Sequence, residues 1–190
     1  PAIAALNPDA ELPDLAITAL HRADAAPVNQ TVQRWLVAAT DGAWPEPRAS
    51  WGVDFGQPVE QSGGMLETLR FTPGAIGYLD APQSGELPAA SLVVDGELVP
   101  PAPENLEGHL DAAIIDPATP PEPLRPGAYP LVDFGYLVTC MEYDDPGVGL
   151  SVRDFVATAM TAEAQDVIGG FTGVTITPTD ELVELAETIR

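Results

Sequence analysis

The chain has 190 residues, seven of them Arg and none Lys, against 29 acidic residues, for a formal charge of −22; it has room for one domain or two small lobes, not a large multidomain enzyme. Lacking lysine, it can carry neither a Walker-type phosphate loop nor a Schiff-base lysine, and its acidity excludes the basic surface that nucleic acid or anionic lipid requires. Hydrophobic residues make up 45%, and 17 Gly with 21 Pro mark a turn-rich chain that still folds.

In chain order, Ile3, Ala4 and Leu6 ahead of Asn7-Pro8 read as a short helix stopped by proline. LAITAL, residues 15–20, reads as a strand, and residues 28–40 as a helix with Val28, Val32, Trp35, Leu36 and Ala39 on one face. Residues 41–64 are punctuated by Pro and Gly and read as loops, with a short strand at 51–55. MLETLRFT (65–72) is a short helix ended by Pro73-Gly74, and AIGYLD (75–80) a strand. LVVDGELV (92–99) has two apolar runs about Asp95-Gly96, the signal of a type I′ hairpin. Residues 103–114 read as an amphipathic helix with Pro103 at its start.

Residues 116–130 hold six of the 21 prolines and read as a stiff, extended connection. LVDFGYLVT (131–139) is dense in β-formers and reads as a buried strand ending at Cys140, a packed and inert thiol. A helix then starts at Ser151, whose spacing to Asp154 fits a capping box, and a last helix starts with Thr177 as cap and Pro178 at its first position. Val183, Leu185, Ala186 and Ile189 form its apolar stripe. Strands and helices alternate, so the class is α/β.

A single cysteine cannot form an intrachain disulfide, no run approaches the length of a membrane span, and no basic-then-apolar leader opens the chain. The start at Pro1 is read as that of a processed or cut chain. His21 and His109 form no metal-ligand spacing with each other or with Cys140. Asp144-Asp145-Pro-Gly reads as a turn, and no Gly-x-Ser-x-Gly elbow is present. Neither a metal, a cofactor nor an enzymatic activity is expected. Trp35, Tyr78 and Tyr136 read as packing residues, and Trp44 and Trp51 as an exposed contact surface.

IAALNPDAELPDLAITALHRAD, followed by a helix ending in RWL, resembles the phosphate-binding proteins of bacterial phosphate ABC transporters. LETLRFTPGAIGYLD is similar to that family's Pro-Gly-x-Ile-Gly-Tyr segment, VVDGELVPPAPENL to its hairpin and helix, and AYPLVDFGYLVT to its Tyr-Pro strand. The resemblance implies a type II periplasmic-binding-protein-like α/β fold with a mixed sheet flanked by helices, and an oxyanion held in a cleft without chemistry. It implies a lobe-2-like domain at 1–118, a Pro-rich linker at 119–130, and a segment at 131–190 returning to a first lobe whose amino-terminal part has no counterpart here.

By the same resemblance, Arg22 and Asp24 stand where the family has its Arg-x-Asp, and Gly63 and Gly64 where it has a Gly-rich loop at a helix start; these four are the expected ligand-binding residues. Each has a plainer reading beside it. Arg22 with Asp24 also reads as a surface ion pair, Asp24 alone as a cap of the next helix, and the two glycines as a flexible turn. Where the family places Ser-Gly-Thr after the Arg-x-Asp, this chain has Ala26-Pro27-Val28, which supplies no hydroxyl and, at Pro27, no N–H. The expected function is a non-enzymatic solute-binding domain that takes phosphate or another small solute weakly, outside the cytoplasm, with an ABC transporter permease as a further partner. The alternative is a degenerate binding fold used as a protein- or glycan-interaction or sensor module of a larger surface protein.

Overall fold

A computed structural model describes residues 2–106, 127–133, 137–172 and 178–190. Contacts divide the chain into two compact units, Pro1–Leu79 and Asp80–Arg190.

The first unit opens with α1 (Ala2–Leu6) and continues through β1 (Thr18–Arg22), α2 (Pro27–Ala39), β2 (Gln57–Val59), α3 (Gln61–Phe71) and β3 (Ala75–Ile76). The three strands make a parallel sheet in the order β2-β1-β3. Leu20 pairs with Gln57 and Arg22 with Val59, while Thr18 pairs with Ala75, so β1 is central and its last residue stands at the end of the sheet. Parallel neighbours need crossover connections, which α2 and α3 supply.

Two glycines permit this pairing. Gly56 and Gly74 have φ of +82° and +77°, and a Cβ on either would lie 2.9 Å from the Ala19 carbonyl oxygen or 2.7 Å from that of Ala16. No L side chain fits there, so both approaches to β1 depend on glycine. Proline at the first position of α2 matches the helical φ and costs no hydrogen bond. The helix ends at Thr40, followed by Asp41 and Gly42 at φ of 50° and 78°.

Leu20, Val32 and Met65 are the buried apolar side chains around β1, joined by Ala26. The most buried part of α2 is not its apolar stripe, however: Asn29 and Gln33, 0% and 1% exposed, lie on its inner side with Thr31. Ala39, read on the same helical face as Val32, is exposed.

In the second unit a 3-10 turn at Ala81–Gln83 precedes the antiparallel hairpin of β4 (Leu92–Val94) and β5 (Glu97–Val99), with Leu92 opposite Val99. Asp95 and Gly96 between them both have positive φ, 51° and 87°, as a type I′ turn requires. Then come α4 (Pro103–Leu106), α5 (Pro146–Ala159), α6 (Ala162–Thr172) and α7 (Asp180–Glu187). Val156, Ala186 and Ile189 form its core cluster, with Tyr143, Val152 and Met160 packed against it. Gly149 of α5 lets the chain at Arg190 pass so close that a Cβ there would meet the Arg190 carbonyl carbon at 2.5 Å.

The α/β class holds, with a small parallel sheet flanked by helices and a separate antiparallel hairpin. Several local expectations change. The strand expected at 51–55 lies instead at Gln57–Val59, because Gly56 with its positive φ is the residue that turns the chain onto β1. No strand is found among the described residues of 131–139, and Leu137 and Val138 are 61% and 83% exposed. β-Formers make a strand only where a neighbouring strand pairs with them, and the described sheets are those of β1–β3 and of the hairpin at 92–99. Cys140 is accordingly exposed, not packed.

The helix expected from Ser151 begins five residues earlier at Pro146. Asp145 caps it by accepting from the Gly147 N–H at 2.8 Å, so the Asp-Asp-Pro-Gly stretch is a helix start and Ser151 is interior, its hydroxyl donating to the Gly147 carbonyl at 2.8 Å. In the last helix Thr179 is the cap, through the Leu182 N–H; the expected cap Thr177 lies outside the described residues, as do His109, residues 107–114 of the expected helix and 119–126 of the Pro-rich stretch.

Candidate functional site

Arg22 is the last residue of the central strand, where a parallel sheet opens toward its carboxyl ends, the usual place for a ligand crevice in such sheets. Its guanidinium donates to Asp24 and to Ser62. Nε donates to Asp24 Oδ1 at 2.7 Å and Nη2 donates to Asp24 Oδ2, a forked pair across one intervening residue. Nη1 donates to Ser62 Oγ at 2.8 Å. The Arg22 side chain is 12% exposed and that of Asp24 29%.

Ser62, Gly63 and Gly64 form the first turn of α3, so the Arg22–Ser62 bond ties the end of β1 to the helix start that carries both glycines. Gly64 sits against Val59, whereas a Cβ on Gly63 would meet nothing within 4 Å. The first N–H of this helix, that of Gln61, donates to Asp24 Oδ1 at 3.0 Å. Asp24 thus does not cap α2, one of its two expected roles; α2 begins at Ala26 with no side-chain cap at all. It orients Arg22 and serves as an acceptor for α3, where a carboxylate is favoured by the helix dipole. The Arg22 hydrogen bonds, followed by that from Gln61, hold the Asp24 carboxyl well below the usual carboxylate range despite some desolvation.

The main chain beneath this pair is fixed by side chains. The Tyr78 hydroxyl accepts from the Arg22 N–H at 2.9 Å and donates to Asn29 Oδ1. Asn29 Nδ2 in turn donates to the carbonyls of Asp24 at 2.9 Å and Ala49 at 2.7 Å. One turn later, Gln33 Nε2 donates to the Arg48 carbonyl at 2.7 Å and to that of Asn29 at 3.0 Å. Burial pushes the Tyr78 phenol up from its ordinary pKa, so it stays protonated and can make both bonds.

Behind the strand, His21 stacks on Trp51 at 5.0 Å with the rings 7° apart; Trp51 also meets Tyr78 at 6.1 Å and Trp44 at 5.4 Å. Trp44 and Trp51 are half-buried members of this row, not the exposed surface expected of them, because the loop 41–56 folds back over β1. Among the described residues, no group of His, Cys, Asp and Glu could hold a metal ion, and no helix is long and apolar enough to cross a membrane.

The four sequence-expected residues therefore lie close together: Arg22 and Asp24 are paired, and Gly63 and Gly64 follow the serine that Arg22 touches. Sequence reading missed Ser62, Asn29, Gln33 and Tyr78. Ser62 stands immediately before the two glycines, a signal within reach; nothing in the order of residues marks Asn29 as the partner of a tyrosine 49 positions away. The start of α2 contributes no hydroxyl, since positions 26–28 are Ala, Pro and Val.

No family model matches the chain. It is 30% identical over 178 residues to phosphate-binding protein PstS 3 of Mycobacterium tuberculosis, covering 85% of this chain and 48% of that protein. To phosphate-binding protein PstS 2 of the same species it is 28% identical over 175 residues, 84% of this chain and 47% of that one. Among solved structures, a human phosphate binding apolipoprotein superposes with a TM-score of 0.60 at 16% identity, over 93% of this chain and 58% of that chain. The chain spans about half the length of the curated relatives it matches.

Proposed function

We propose that this chain, a homologue of the PstS phosphate-binding proteins, is a non-enzymatic solute-binding-protein-like domain that takes phosphate or another small oxyanion at Arg22. The observation that carries the reading is the placement of a guanidinium at the end of a central parallel strand, 2.8 Å from the first turn of a Gly-rich helix. Asp24 orients Arg22, and the Gly63 N–H, in the first turn of α3 where no intrahelical acceptor is available, faces the ligand beside Gly64. The division into a lobe-2-like part at 1–118, a linker at 119–130 and a returning segment at 131–190 belongs to this reading. So do an extracytoplasmic location and an ABC transporter permease as partner.

Binding is weak. Ala26, Pro27 and Val28 supply neither of two hydroxyls and lack one amide relative to Ser-Gly-Thr, and each such donor contributes about 1.5–3 kcal/mol toward a charged partner. At about 1.4 kcal/mol per tenfold, affinity falls by several powers of ten. Titration calorimetry with phosphate tests this. Heat that saturates in the millimolar range and vanishes in Arg22→Ala supports the proposal; no heat at any phosphate concentration rejects it.

One observation favours a second reading, an interaction or sensor module that has given up solute binding. Asp24 already occupies both the fork of Arg22 and the first N–H of α3, where an anion would otherwise sit. A protein or glycan partner would then engage a different surface, and phosphate would leave the amide resonances of residues 62–64 unmoved.

A further inference from the structure

We infer that Ser62 is itself an oxyanion ligand, supplying from the first turn of α3 the hydroxyl that the start of α2 lacks. This rests on the oxyanion-binding reading above and adds to it a residue that neither the family resemblance nor the expected site includes.

Ser62 differs from three other helix hydroxyls among the described residues. Thr68 donates to the Gly64 carbonyl at 2.8 Å, Ser151 to that of Gly147 at 2.8 Å, and Thr158 to that of Asp154 at 2.7 Å. Each spends its proton on the carbonyl four residues back, as serine and threonine inside helices do. Ser62 stands at the second position of α3, where no helical carbonyl lies four residues back. Its oxygen accepts from Arg22 Nη1 at 2.8 Å, and among the described residues its proton has no acceptor. A hydroxyl carries one proton and two lone pairs. With one lone pair committed to a guanidinium, the O–H turns to one of the two remaining positions around the oxygen, where it can meet an acceptor.

The guanidinium gives that position its sign. Nη1 lies against Ser62, and an acceptor bound by the hydroxyl would sit within reach of the same positive group, which favours an anion over a neutral solute. Space is present on the next residue, since nothing lies within 4 Å of a Cβ built on Gly63. Two other hydroxyls of this unit, Thr31 and Tyr78, are not placed to do this. Thr31 is buried and accepts from Arg34 at 3.1 Å, and the Tyr78 hydroxyl has its proton on Asn29. The ligand is a small tetrahedral oxyanion, with inorganic phosphate as the probe.

The experiment titrates phosphate into the wild-type chain and into Ser62→Ala, Ser62→Thr and Arg22→Ala, reading affinity by calorimetry and the Arg22 Nε–H resonance by nitrogen-15 NMR. Removing one hydroxyl donor to a charged partner weakens binding by about ten- to a hundredfold, so Ser62→Ala shows that loss while Ser62→Thr, which keeps the hydroxyl, stays near wild type. The Nε–H resonance keeps its position in unliganded Ser62→Ala, because Asp24 still holds that nitrogen. Wild-type affinity in Ser62→Ala, with Arg22→Ala inactive, overturns the role of Ser62 and leaves the oxyanion reading standing. A displaced Nε–H resonance in Ser62→Ala makes Ser62 a positioning residue and overturns its assignment as ligand. Absence of binding by the wild-type chain overturns both.

Discussion

The two units hold themselves together by different means. Around β1 and α2, the most completely buried side chains after Met65 are two amides, Gln33 and Asn29, whose hydrogen bonds reach the carbonyls of residues 24, 29, 48 and 49. Around α5 and α7, the buried residues are a small set of aliphatic groups, Val156, Ala186 and Ile189. Aliphatic packing is non-directional and tolerates small shifts, whereas a buried amide demands its partners in place. The difference teaches where this chain needs a fixed main chain: beneath Arg22 and Asp24, whose fork must meet a helix start from another part of the sequence.

The strongest way to break this contrast is to remove Asn29. Asn29→Leu keeps the branched shape, with bulkier end groups, but leaves the Asp24 and Ala49 carbonyls and the Tyr78 hydroxyl without their amide, at about 1–3 kcal/mol for each buried group left unpaired. A loss of about 3 kcal/mol or more in urea unfolding is expected, and a loss under about 1 kcal/mol would show that this network does not set the stability of the first unit.

The corresponding change in the second unit is smaller. Gly149→Ala places a methyl group 2.5 Å from the Arg190 carbonyl carbon, and overpacking of this kind costs about 1–3 kcal/mol; improved helix propensity returns up to about 1 kcal/mol of that. A net loss of about 1–2 kcal/mol is expected by thermal unfolding. A stabilised variant would mean that the chain near Arg190 yields to α5 and that the packing there is looser than the aliphatic cluster implies.

The smallest effect is confined to acid. Asp24 has a folded-state pKa lowered by Arg22, so the stability it contributes is fully present above its unfolded value, about 3.9, and is lost as pH falls through the depressed folded value. Stability measured in urea from pH 6 downward therefore declines below about pH 4, and Asp24→Asn removes that part of the decline. An unchanged acid limb in Asp24→Asn would assign the decline to other carboxylates.

Much of the local structure was legible from residue order. Asp95-Gly96 between apolar runs specified the hairpin because two consecutive positive φ angles suit few other pairs. Pro73-Gly74 marked a helix end through the fixed φ and missing N–H of proline, and Arg22, Asp24, Gly63 and Gly64 were expected at one site. Less legible were elements whose identity depends on a neighbour. Residues 131–139 carry the β-formers of a buried strand, yet strand formation is a matter of pairing, and none of the described strands includes residues 131–133 or 137–139. Cys140 follows them into solvent. Trp44 and Trp51, in a loop without periodicity, gave no sign that they stack toward His21 and Tyr78.

By itself the sequence determined the α/β class, the turns, and the absence of hydroxyls at positions 26–28, because backbone φ preferences and side-chain chemistry belong to single residues and their immediate neighbours. Only the tertiary structure decided that Asp24 serves both Arg22 and α3, that Asn29 and Tyr78 lock the main chain between them, and that Ser62 stands against the guanidinium. Apart from the Arg22–Asp24 fork, those are hydrogen bonds across 37 to 56 positions of chain. They depend on distances of about 3 Å that no local preference sets and that the pairing of β1 with its neighbours brings about.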